Sequence, residues 1–131
     1  MSVTIVNPAT LHDPVSFGYS HVAQVTGELV IIAGQYASDH EGHVTSPDFA
    51  EQVAQSLDNL RAALAAAGLS VQDVAQIRTF VVDHDLDKLA VIAGAIGEIW
   101  GDRPPAQTLI GVAALALPGM LFEIDAVAAR P

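Results

Sequence analysis

Arg103-Pro104-Pro105-Ala106-Gln107-Thr108-Leu109-Ile110-Gly111-Val112, continued by Pro118-Gly119-Met120-Leu121-Phe122-Glu123-Ile124-Asp125-Ala126-Val127-Ala128, is the stretch around which the chain is organised. Both pieces read as strands, joined through Leu115 to Pro118. Side chains alternate faces along a strand, so Thr108, Ile110, Val112 with Phe122, Ile124, Ala126 and Ala128 form one set, read as the core face. The other set is Gln107, Leu109, Leu121, Glu123, Asp125 and Val127. An amide and two carboxylates among branched aliphatics is the pattern of a site at a buried interface.

The 131 residues suit one domain, spanning 1–131, with length enough to bury a core. Hydrophobic residues make up 51% but aromatics 5%, so the core is expected to be built from Ala, Val, Leu and Ile. No apolar run approaches the roughly 18 residues of a spanning helix. The longest candidate, Val112 to Phe122, is broken by Pro118-Gly119, and no signal peptide is visible near Met1. With no cysteine, disulfide and thiol chemistry are excluded and a reducing cytoplasm is the expected setting. Five basic against fifteen acidic residues give a net charge of -10, which repels phosphate backbones and argues against a nucleic-acid partner. A small molecule, further copies of the chain, or both are the expected partners.

In chain order, Met1 to Phe17 is expected to be irregular, limited by Pro8 and Pro14. His21–Val25 and Glu28–Gly34 read as a hairpin around Thr26-Gly27. A polar loop, Ser38 to His43, follows. Ser46 can cap a helix with Pro47 at its first position, and Phe49, Val53, Leu57, Leu60, Leu64 and Ala67 recur at helical spacing up to Gly68. Gln76–Val82 reads as a strand. Asp85 or Asp87 can cap a second helix that carries Leu89, Ile92, Ile96 and Ile99 and ends at Gly101. Gly94 and Gly97 inside it each cost about 1 kcal/mol relative to Ala, which either close packing of that helix or a weak helix would explain. The predicted order is β-β-α-β-α-β-β, an α+β domain with both helices on one face of the sheet. Several strands are apolar on both faces, so the face without helices is expected to be buried by self-association.

Ala33-Gly34-Gln35, Gln55-Ser56-Leu57-Asp58-Asn59-Leu60, Ala66-Ala67-Gly68, Thr79-Phe80-Val81-Val82-Asp83, Pro105-Ala106-Gln107-Thr108, Leu117-Pro118-Gly119 and Glu123 to Ala128 occur in an order and spacing that resembles the RidA/YjgF family of reactive-intermediate deaminases. The resemblance runs from Tyr19 to Ala128. It implies a chorismate-mutase-like fold assembled as a homotrimer, with a small-molecule cleft at each subunit boundary. It further implies hydrolysis of imines or enamines to a ketone or keto acid and ammonia, without a cofactor. By the same resemblance the cleft tyrosine is Tyr19, the polarising backbone amide is that of Gly34, and the acid handling water is Glu123. Three positions depart from the family pattern. Ala33 stands where a serine is usual, Ala93 where an asparagine is frequent, and Gln107 where an arginine grips the substrate carboxylate. A neutral amide cannot replace that planar two-pronged contact.

The candidate residues each carry a second reading. Glu123 can supply a proton and activate water, or be an ordinary strand carboxylate. Asp125, about 7 Å along the same face, is read as structural. Gln107 can hold a neutral polar ligand or be a core-edge amide tied to the backbone. Arg103 and Arg78 are distant replacements for the missing charge. His40-x-x-His43 has zinc-compatible ligand types but reads as a solvated turn, so no metal is assigned. His12, His21 and His84 form no pattern, and no phosphate-binding glycine loop supports a nucleotide cofactor. Two functions follow: a hydrolase of neutral imines or enamines, not 2-iminopropionate, or a non-catalytic trimer that binds a small metabolite or a partner protein.

Overall fold

The structure, a computed structural model, describes residues 2–131; Met1, the first residue of the segment expected to be irregular, lies outside them. Strands β1 (Val3–Val6), β2 (Val22–Val25) and β3 (Glu28–Gln35) precede helix α1 (Phe49–Ala66). Strand β4 (Val74–Val82), helix α2 (Leu86–Trp100), β5 (Ala106–Val112) and β6 (Phe122–Arg130) follow. The four longer strands form a mixed sheet in the order β3-β6-β4-β5, with β4 and β5 parallel and the other pairs antiparallel. A parallel neighbour requires a crossover, and α2 supplies it. Among the described residues no helix is long and apolar enough to cross a membrane.

Both helices lie on one face of this sheet, as expected. Val53, Leu57, Leu60 and Leu64 of α1 and Ile92 and Ile96 of α2 are buried against Ile77 and Val81 of β4 and Phe122, Ile124, Ala126 and Ala128 of β6. Gly68 takes a positive φ of 74° just beyond α1, where the left-handed cap was expected. The caps are Asp48, which accepts from the Glu51 amide, and Asp85, which accepts from the Lys88 amide. Ser46 is not the cap and Pro47 is not the first helical residue, as was expected: the helix begins two residues further on, and Ser46 Oγ accepts from the Asp48 amide instead.

Four further expectations need correction. Residues 3–6 form β1 and pair with β2 despite the nearby prolines, because Pro8 and Pro14 both fall beyond the strand. The predicted β2–β3 hairpin does not form: Gly27 does turn the chain, with φ of 98°, but β2 pairs with β1 and β3 with β6. The glycines of α2 do not mark close packing, since an added Cβ at Gly94 or Gly97 would meet nothing within 4 Å. The fourth concerns β5, whose inward set is Gln107 and Leu109. The parallel register places Gln107 beside Ile77 and Leu109 beside Thr79, both of them buried, so Thr108, Ile110 and Val112 belong to the opposite face. β5 and β6 are not neighbours, because β4 runs between them. Glu123 and Gln107 therefore lie on opposite faces of the sheet.

The face away from the helices is covered at one end by the β1–β2 ribbon, where Val3, Ile5 and Ala23 pack on Ala75 and Ala129. The rest is open. Leu29 is 57% and Ile31 70% exposed there.

Candidate functional site

The sequence-predicted residues fall into two groups. The first surrounds Tyr19. Its segment is fixed by short-range bonds: the Asn7 side chain accepts from the His21 amide at 2.7 Å and donates to Ser20 at 3.2 Å, and the Ser20 amide donates to the Pro105 carbonyl at 3.0 Å. A single 3-10 turn, Val15–Phe17, ends at Gly18, whose φ of 86° favours glycine. A Cβ on Gly18 would also come within 3.0 Å of the Ala93 Cα, so this glycine lets the segment lie directly on α2.

Between this segment, α2 and β5 is a cavity of about 450 Å³ lined by His12, Phe17, Tyr19, Leu89, Ile92, Gln107, Thr108 and Leu109. Its walls are mainly apolar, and neither Lys nor Arg contributes to them. The Gln107 amide is engaged at both ends: Nε2 donates to the Gly18 carbonyl at 2.7 Å, and Oε1 accepts from the Thr79 hydroxyl at 2.8 Å. One N–H and one lone pair remain for a ligand.

The second group lies on the open face. Residues Ile32 and Gln35 of β3 face Ala126 and Ile124 of β6, so β3 carries one extra residue and bulges at Ala33-Gly34. Glu123, opposite Phe80 in the register, folds its carboxyl against Gly34. Burial raises its pKa above the ordinary carboxylate value, and the nearby charge of Asp125 adds to the rise. Asp125 is itself held by Arg78 through a two-pronged pair, Nε at 3.1 Å from both carboxylate oxygens and a terminal nitrogen at 2.6 Å from one. The Arg78 guanidinium also lies over the Phe80 ring. Arg78 is thus committed to Asp125, while Arg103 lines a separate narrow crevice with Val3, Val71 and Trp100.

The two groups do not meet within one chain. Gln107 and Glu123 are on opposite faces, and β4 separates their strands, about 10 Å across at the usual strand spacing. Both halves are open, one a cavity, the other an exposed sheet face.

His12 and His21, expected to form no pattern, are brought together at Tyr19, and residues that the sequence did not single out also shape these halves. His12 Nε2 is 2.5 Å from the Tyr19 hydroxyl, and His21 Nε2 lies 2.8 Å from the His12 carbonyl oxygen. The alternation Tyr19-x-His21 places both rings on one side and was the available signal; His12 comes from a distant turn. Gln52, fully buried in α1, donates to the Ser46 and Gly119 carbonyls and accepts from the Leu121 amide, each within 2.9 Å. It ties the loop before β6 to the helix and so sets where Glu123 emerges. A polar residue at a core-facing helical position, between Phe49 and Ser56, was its signal. The Ser38–His43 loop is an Asp39-centred turn: Asp39 accepts from the Glu41 and His43 amides, which hold its carboxylate below the usual range.

Comparison with known proteins identifies this architecture. The family model described as Endoribonuclease L-PSP matches residues 10–130. The chain is 35% identical over 129 residues to the RutC family protein YjgH of Escherichia coli K12, covering 98% of this chain and 95% of that one. It is 32% identical over 133 residues to a 2-iminobutanoate/2-iminopropanoate deaminase of Salmonella typhimurium, covering 99% of each. The crystal structure of YyfB from Yersinia pestis, a Rid-family protein of unknown function, superposes with a TM-score of 0.94 at 41% identity, covering 99% of this chain and 100% of that one. The fold is that of a two-helix, mixed-sheet domain shared with these proteins. The chain belongs to the RidA/YjgF family.

Proposed function

We propose that the chain hydrolyses small, uncharged imines or enamines to a carbonyl compound and ammonia, in clefts formed between the protomers of a homotrimer. The observation that carries this reading is Glu123, a half-buried carboxyl with a raised pKa, seated against the Gly34 bulge on a face that a second copy would cover. The exposure of Leu29 and Ile31 on that same face supports assembly, since apolar patches of this kind are normally buried in oligomers. A partner's Tyr19–Gln107 cavity would then face Glu123 and the Gly34 amide, with Ala33 beside them. The deaminase relatives support the reaction class.

The chemistry needs one group that gives and takes protons. The neutral Glu123 carboxyl donates to the imine nitrogen, which makes the carbon electrophilic. The resulting carboxylate removes a proton from water as the water oxygen bonds to that carbon and the C=N π pair moves to nitrogen. Returning the proton to nitrogen, with loss of the hydroxyl proton, breaks the C–N bond and releases ammonia and the C=O product. A carboxyl whose pKa is raised by burial and by the charge of Asp125 is suited to both directions. Tyr19 and Gln107 orient the ligand. No cation lines the cavity and Arg78 is held by Asp125, so a substrate carboxylate has no partner there.

The test is ammonia release from neutral imines, with Glu123→Gln beside the wild type. The variant should lose about 10²- to 10⁴-fold, the usual contribution of general acid–base catalysis, while remaining assembled. Wild-type turnover retained in Glu123→Gln would remove this assignment.

A second reading, a trimer that binds a small metabolite or a partner protein without turning anything over, is favoured by Gln107, whose amide is already bonded at both ends. Mass spectrometry of small molecules retained by the native protein separates the two: a hydrolase releases its product, whereas a binder keeps its ligand.

A further inference from the structure

We propose that His12 is a positioning residue of the ligand site, holding the Tyr19 hydroxyl as a polar anchor of a mainly apolar cavity without a cation, and that the cavity therefore selects ligands with an uncharged polar head on a short aliphatic body. This rests on the reading that the Tyr19 cavity is the ligand-holding half of the cleft.

Three observations carry it. His12 is 2.5 Å from the Tyr19 hydroxyl, and its ring lines the same cavity, so the bond sits at the wall where a ligand would lie. His12 is itself braced: its carbonyl oxygen accepts from His21 Nε2 at 2.8 Å, and its ring packs edge-on against those of Phe17, Tyr19 and His21, with centroids 4.8–6.3 Å away. Phe17, Leu89, Ile92 and Leu109 solvate methylene groups, and the remaining wall residues, Gln107 and Thr108, are neutral, so the wall carries no cation to meet a charge.

A hydroxyl free to rotate would spend much of its time away from the ligand. Bonded to an imidazole that packs edge-on against three neighbouring rings, it presents its remaining donor or acceptor site in a preferred direction, and that preorganisation is what raises affinity. A ligand with one N–H or one carbonyl meets this site at full strength. A carboxylate carries a charge into a mainly apolar wall where only neutral donors, the Tyr19 hydroxyl, the remaining Gln107 N–H and Thr108, can receive it.

Butyramide and butyrate share an aliphatic body and differ in the charge of the head, and so serve as the probe pair. Both are titrated against the assembled protein while the ring signals of Tyr19 are followed; Tyr36 is the other of only two tyrosines and serves as the internal control. Butyramide should bind and shift Tyr19, and butyrate should bind at least about tenfold more weakly. His12→Ala should weaken butyramide by about threefold to tenfold, the contribution of one hydrogen bond. His12→Gln, which can still bond the hydroxyl, should recover most of that loss. Tyr19→Phe should show the same loss as His12→Ala, and the double variant should lose no more than either, the mark of two residues acting as one unit. Equal affinity for the two probes would overturn the selectivity. Unchanged butyramide binding in His12→Ala, or additive losses in the double variant, would overturn the role of His12. None of these readings depends on turnover, so a failure here is separable from a failure of Glu123→Gln to lose ammonia release.

Discussion

A Cβ built on Gly34 would lie 1.9 Å from Oε1 of Glu123 and 2.7 Å from its Cδ. The carboxyl thus occupies the space that any other residue at position 34 would fill. The bulge at Ala33-Gly34 and the absence of a side chain there together give Glu123 its half-buried seat, which is the origin of its raised pKa.

Gly34→Ala should therefore act on Glu123 rather than on the fold. The clash is with the far end of a flexible side chain, which can swing away at small cost. The variant should stay folded and assembled, with its urea midpoint little changed, while ammonia release falls about tenfold or more because the acid is no longer placed. Full activity in Gly34→Ala would show that the seat does not matter.

The pH dependence of stability follows from the same seat. Glu123 has a folded pKa above its ordinary 4.5, so the folded protein holds this proton more tightly than the unfolded chain. Its contribution to stability is fully present below that ordinary value and is lost as pH rises through the folded value. Glu123→Gln does not titrate. The difference in unfolding free energy between variant and wild type should therefore shift in favour of the variant between pH 4 and pH 7. Urea titrations of both proteins across that range measure it, and a flat difference would mean that the carboxyl is not desolvated.

Gln107 sets the expected response to charged substrates. The wild type should release little ammonia from freshly generated 2-iminopropionate. Gln107→Arg gives up bonds to Thr79 and Gly18, at a cost of about 1–3 kcal/mol, but supplies the fork that a carboxylate needs. Binding of small keto acids should appear in that variant, measured by calorimetric titration, with turnover recovering less because Ala33 still lacks a hydroxyl. Robust wild-type activity on 2-iminopropionate would contradict this account of Gln107.

The helices were legible because their periodicity and end signals agree: Leu57, Leu60 and Leu64 face one way and Gly68 stops the helix. β6 was legible for a similar reason, its alternate residues Phe122, Ile124, Ala126 and Ala128 being apolar and all buried. β5 was not. Leu109 and Ile110 are both aliphatic, so its pattern permits either face inward, and only the parallel register with β4 decides. That one-residue ambiguity placed Gln107 and Glu123 on a shared face, which they do not have within a chain. The pairing of β2 with β1 escaped because a four-residue strand leaves almost no periodic signal. His12 escaped because its partner Tyr19 is seven residues away across an irregular turn.

In the proposed trimer, Tyr19 of one protomer and Glu123 of another complete each cleft. Complementation tests it most directly. Glu123→Gln and Tyr19→Ala proteins, each made separately, should both be trimers about three times the 13.6 kDa chain mass by native mass spectrometry and should both release ammonia slowly. After subunit exchange at equal concentration, one cleft in each mixed trimer, about a quarter of all clefts, pairs an intact Tyr19 with an intact Glu123, so activity should rise toward about a quarter of the wild-type value. Mixed trimers seen by mass spectrometry without any rise in ammonia release would contradict the shared cleft.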